Sequence, residues 1–131
     1  MIISIFASLI SLLLIDSVWL ITMSRYFYSK HLGHILADSP SLIPAGLFYL
    51  IYSFGITFFV VMPAIQGNFS ITKTFLFGAI LGFVAYATYD LTNHATIKDW
   101  PAIVTVIDLI WGALLTGTIS VIAFYITKNF S

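Results

Sequence analysis

Three aspartates stand where an apolar chain should have none. Asp16, Asp90 and Asp108 fall within or at the ends of hydrophobic runs, in a chain that is 8% charged. A carboxylate at bilayer depth costs a few kcal/mol or more, so it turns towards protein or a wet cavity, and it counts as a functional candidate by default. Two of the three carry the same companion. The first helical run holds IDSVWL and the last holds IDLIWG, so Asp16 is followed by Trp19 and Asp108 by Trp111 at i, i+3. That spacing puts indole and acid on one helix face. Tyr86, Asp90 and Asn93 share a face of the third run, and Tyr49 and Tyr52 share one on the second.

Carboxyl groups in low dielectric can serve as general acids or bases, as proton relays, or as anchors for a polar ligand. Three of them close together cannot all carry charge, so at least one is expected to hold a proton at neutral pH. Tyrosine hydroxyls, tryptophan N–H groups and Asn93 are the expected hydrogen-bond donors. The candidate catalytic residues are Asp16, Asp90 and Asp108. The candidate ligand-binding set adds Trp19, Tyr49, Tyr52, Tyr86, Asn93 and Trp111. The competing reading is that these groups only bond helices together.

The elements that position them follow from composition. The chain has 131 residues, 60% hydrophobic and 17% aromatic, with formal net charge zero. A soluble domain needs a charged skin of roughly a quarter of its residues, so lipid is the expected solvent. Basic runs are absent, which sets nucleic acid aside. Cysteine is absent too, which removes disulfides, thiolate metal sites and thiol nucleophiles. His31 and His34 lie three apart with no carboxylate motif to complete a metal site, so no metal is expected.

Four apolar runs, about 2–23, 42–65, 74–91 and 102–126, are separated by short links. Each approaches the ~20 residues that cross a bilayer, and lipid forces each to be helical. The first run lacks a basic leader region and a cleavage motif, so it reads as a retained helix. The expected fold is all-α, one four-helix transmembrane bundle over 1–131 with antiparallel neighbours. Pro44 suits the first turn of its helix and Pro63 lies near the end. Gly78 and Gly82 form a small-xxx-small packing face. Trp100 and Tyr26 read as interfacial belt residues, and His94, one turn after Asp90, as a solvated link residue. Links 24–41 and 92–101 carry Arg25, Lys30 and Lys98, against Lys73 and Lys128 on the other side. The positive-inside rule therefore places those two links in the cytoplasm.

Depth gathers the polar residues. From the side of links 24–41 and 92–101, Asp16 lies about 12 Å in, Tyr49 about 10 Å, Asp108 about 9 Å and Asp90 about 5 Å, at 1.5 Å per residue. The far half reads as almost purely apolar. The expectation is one polar, aromatic pocket near one membrane face.

At YATYDLTN, residues 86–93, the chain resembles a family of small bacterial four-helix membrane proteins of unknown function. The resemblance spans nearly the whole chain. It includes Asp-x-x-Trp-Leu at 16–20, the aromatics Tyr26, Phe27 and Tyr28, and Pro-Ala-x-x-Phe-Tyr at 44–49 followed by Tyr52. It continues with Trp100-Pro101 and Asp-x-x-Trp-Gly at 108–112. His94 stands where the family pattern has leucine. The resemblance implies the fold, a bacterial inner-membrane location and an accessory role beside lipid-modifying enzymes; it implies no established activity or cofactor.

Three functions compete. One is a pocket for an amphipathic, lipid-like or pigment-like ligand. The second is a membrane enzyme acting on lipid through an aspartate acid or base. The third is proton-coupled transport, for which four helices call for an oligomer, a homodimer at least. The first is the expectation.

Overall fold

The computed structural model describes residues 1–37 and 41–130; residues 38–40, in the first link, and residue 131 lie outside the described residues. Four helices are long and apolar enough to cross a membrane: α1 Ile2–Leu32, α2 Leu42–Gln66, α3 Ile71–Thr96 and α4 Ala102–Phe130. No strand occurs among the described residues. Their outward faces are apolar: Ile21, Ile51, Phe59 and Ile80 are each more than 60% exposed. Such faces are satisfied by lipid and would be unstable in water.

Three spans outrun the sequence reading. The span expected over 2–23 continues to Leu32, so the first nine residues of the 24–41 link are helix. The continuation passes through a π-helical turn, Ser24–Tyr28, before α-helix resumes at Ser29–Leu32. The third span begins at Ile71, where Ser70 caps it by accepting a hydrogen bond from the Lys73 amide at 3.1 Å, and it ends at Thr96. The fourth reaches Phe130. Polar residues at a helix end keep the backbone paired, so hydropathy marks the apolar stretch and not the helix end.

α2 also contains a π-turn, Thr57–Val61, just before Pro63. Proline has no N–H and its ring crowds the carbonyl four residues back. A wide turn ahead of it relieves that crowding and frees Thr57, whose hydroxyl meets Ser4 of α1 at 3.1 Å.

α4 is the hub. Leu115, Ile119 and Ala123 pack with Leu12 of α1 and with Ile56, Val61 and Ala64 of α2. On its other side α4 meets α3 through small residues. Gly78 and Gly82 face Ser120, Thr116 and the Gly112 carbonyl so closely that a Cβ on either glycine would collide. Gly112 in turn accepts the ring of Tyr86. This is the packing role expected of Gly78 and Gly82: in lipid, helices associate where small residues let backbones approach.

The far half is not purely apolar. Ser4, Ser8, Thr57, Thr74, Ser120 and Thr127 are buried there. These short hydroxyl residues lie at helix contacts, where their size matters as much as their polarity.

Candidate functional site

α1 and α3 both pack on α4 without packing closely on each other. A groove opens between them, with α4 as its floor. It has a volume of about 940 Å³ and is lined by α1 from Asp16 to Leu32, by Leu36 and Ala37 just beyond it, by Tyr86 and Tyr89 of α3, by Trp100, and by Asp108 and Trp111 of α4. The α1 extension forms one wall, with Ser24, Arg25, Tyr28, Ser29 and Leu32. The tip of that wall is pinned where Leu32 packs with Trp100 and Val104, beside Phe27 and Tyr28.

The two Asp-x-x-Trp motifs do not close on themselves. They interlock. The Trp111 Nε1–H donates to Asp16 Oδ1 at 3.3 Å, so the indole of the second motif serves the acid of the first. Trp19 donates to the Tyr28 hydroxyl at 3.1 Å, and that hydroxyl donates to Asp108 Oδ1, so the first motif serves the second acid through a tyrosine. Between the acids the indoles stack, 4.1 Å between centroids and 7° between planes. Asp16 takes a second bond at 2.7 Å from the Tyr49 hydroxyl of α2.

Asp90 departs from the expectation of a place in the pocket. It is fully buried and does not line the groove. It sits behind Asp108, and neither of its oxygens has a hydrogen-bond donor among the described residues. Because α3 continues to Thr96, Asp90 is six residues from the helix end, about 9 Å in rather than 5 Å. Asn93 is half-buried one turn on, with no hydrogen bond to either acid. Tyr52 lies away from the groove, its hydroxyl 2.6 Å from Thr116 Oγ1 and its ring stacked on Phe48. Tyr49 reaches Asp16 from behind, on the α2 side.

Four aromatic or charged residues enter that the sequence reading did not place there. Tyr28 is the most consequential. In a regular α-helix it would point about 120° away from Asp16, twelve residues earlier, at 100° per residue. The π-turn accommodates one extra residue, withdraws about 100° and returns the phenol to the acids' face. Only its aromatic character, repeated in Tyr26-Phe27-Tyr28, signals it in the sequence. Arg25 brings a cation to the groove wall, and Tyr89 adds a ring. Trp100, expected in the interfacial belt, is instead buried, edge-on to Tyr89, and donates to Thr105 Oγ1 at 3.1 Å. That hydroxyl also lies 3.2 Å from His94 Nδ1, so His94 joins α3 to α4 rather than pairing with Asp90. Tyr26 points outward and is 71% exposed, as a belt residue would be.

A second groove, apolar and open to the lipid-facing surface, borders the same indole pair. A space of about 560 Å³ is lined by Leu14, Ile15, Val18, Thr22 and Met23, with Trp19 and Trp111 as the shared partition. A polar aromatic end therefore adjoins a hydrocarbon-like one.

The family model described as "Predicted membrane protein (DUF2177)" matches residues 1–125, and the chain belongs to that family. No curated protein and no solved structure matches it. Together with the four apolar helices, family membership makes this an integral membrane protein.

Proposed function

We propose that this integral membrane protein binds an amphipathic, lipid-like ligand, with its head at the Asp16–Asp108 end and its chain along the apolar compartment. One observation carries the reading: a polar, aromatic groove of about 940 Å³ shares its indole partition with an apolar one of about 560 Å³. Binding sites of this kind are concave, largely apolar, and fixed by a few polar groups. The acids here are held by Tyr28, Tyr49 and Trp111 before any ligand arrives, which lowers the ordering cost of binding. The role that follows is an accessory one, holding a lipid for enzymes that modify it. The groove side then faces the cytoplasm of a bacterial inner membrane, in line with Arg25, Lys30 and Lys98.

The test is native mass spectrometry of protein purified in mild detergent, with an absorbance spectrum of the same sample to detect a pigment. A bound mass is expected on the wild type and is lost or reduced in the Asp16→Asn/Asp108→Asn double variant, whose helical circular dichroism is retained. A bare wild-type protein would leave the acids as interhelical ties and sink the reading.

A second reading, acid–base chemistry on the bound lipid, draws on Asp108 facing the groove on one side and buried Asp90 on the other. It requires a product formed from lipid extract that disappears with Asp90→Asn.

A further inference from the structure

The polar end of the groove is rich in negative groups and in aromatic faces. Asp16 and Asp108 open onto it, and among the described residues they accept hydrogen bonds from neutral hydroxyls and an indole. Behind Asp108 stands Asp90, fully buried, its two oxygens without a donor among the described residues. Two carboxyl groups set against each other repel unless a proton or a cation lies between or beside them. The groups around the pair are Tyr28, Tyr86 and Tyr89, with His94 turned to Thr105 and Arg25 farther along the α1 wall.

The walls supply the other half of the chemistry. Trp19, Tyr86, Tyr89, Trp100 and Trp111 all line the groove. A cation over an aromatic face is attracted by the ring quadrupole, most strongly over tryptophan and more strongly when desolvated. Carboxylates set among indole and phenol rings suit an ammonium group. They would repel a bare phosphate or carboxylate head, which would be buried beside like charge.

We propose that the head group seated at this end carries a cationic nitrogen, a primary or quaternary amine, held against Asp108 and Asp16 between the aromatic faces. The proposal rests on the ligand-binding reading above and names its head-group class. The amine supplies, beside Asp108 and Asp16, a positive charge that their neutral hydrogen-bond donors do not. If the amine belongs to a phospholipid, its phosphate lies towards Arg25.

The chain's three tryptophans, Trp19, Trp100 and Trp111, all line the groove, so their emission reports on it. Full-length protein in a maltoside detergent is titrated with lipids bearing brominated acyl chains, which quench nearby indoles. The probes are phosphatidylethanolamine, phosphatidylglycerol and diacylglycerol. Phosphatidylethanolamine is expected to quench saturably at a concentration at least about tenfold below the other two, the worth of one charge-assisted contact. Asp108→Asn is expected to shrink that preference to under about threefold; Asp16→Asn is measured beside it in case the first variant misfolds.

Relief of quenching by dodecyltrimethylammonium would mean that an amine alone suffices. A retained phosphatidylethanolamine preference without relief would mean that amine and phosphate act together; both outcomes support the proposal. Equal saturable quenching by all three lipids overturns the cationic head and leaves amphiphile binding standing. Tighter quenching by phosphatidylglycerol overturns it in favour of an anionic head on Arg25. No saturable quenching by any probe overturns both readings.

Discussion

Trp19 and Trp111 stack face to face, 4.1 Å between ring centroids, and each carries a hydrogen bond towards the aspartate of the other's helix. The stack joins α1 to α4 at the point where the two grooves meet. Stacked aromatic pairs contribute about 0.5–1.5 kcal/mol beyond the area they bury. A double-mutant cycle of Trp19→Leu and Trp111→Leu, read by unfolding in detergent, is therefore expected to give a coupling of about 1 kcal/mol. A coupling near zero would mean that the rings pack independently.

Tyr28→Phe keeps the ring and deletes one oxygen. That oxygen both accepts from Trp19 and donates to Asp108. Losing a hydrogen bond to an acidic group costs about 1.5–3 kcal/mol. Tyr26→Phe, two residues away on the exposed face, is expected to change stability by less than about 0.5 kcal/mol. Equal effects at the two positions would contradict the turn geometry that aims Tyr28 inward.

The α3–α4 crossing gives a sharper contrast. Gly82→Ala would drive a methyl group into the Gly112 carbonyl, whereas Gly46 and Gly55 have open space where a Cβ would stand. Overpacking costs about 1–3 kcal/mol or more when backbone must move. Gly82→Ala is expected to lower the unfolding midpoint in detergent strongly. Gly46→Ala and Gly55→Ala should leave it unchanged or raise it slightly, since alanine is the better helix former.

Asp90→Asn is expected to leave the fold intact and to stabilise it by up to about 1 kcal/mol. The amide brings a permanent N–H donor to a place where two carboxyl groups otherwise depend on a held proton. Asp108→Asn removes the acceptor that Tyr28 uses and is expected to destabilise. Thermal unfolding of both variants in the same detergent separates a buried acid retained for function from one retained for stability. If Asp90→Asn is the more damaging of the two, the acid is a structural tie.

The sequence by itself determined the solvent and the elements. Hydropathy is additive along a helix, so four runs of about twenty apolar residues fix four spanning helices wherever the chain folds. It also marked the intramembrane acids and their indoles, because the cost of a buried carboxylate depends on depth, which residue counting supplies. Only the tertiary structure decided who serves whom. Asp16 is bonded from α2 and α4, not by its own Trp19; Asp90 is shut behind Asp108; and Trp100 turns inward onto Thr105. Tyr28 reaches Asp108 only because a single π-turn rotates the end of α1, a choice worth little in local energy and set by the packing of Leu32 under Trp100. Periodicity read from one chain assumes a fixed angle per residue, and the groove exists because α1 breaks that assumption once.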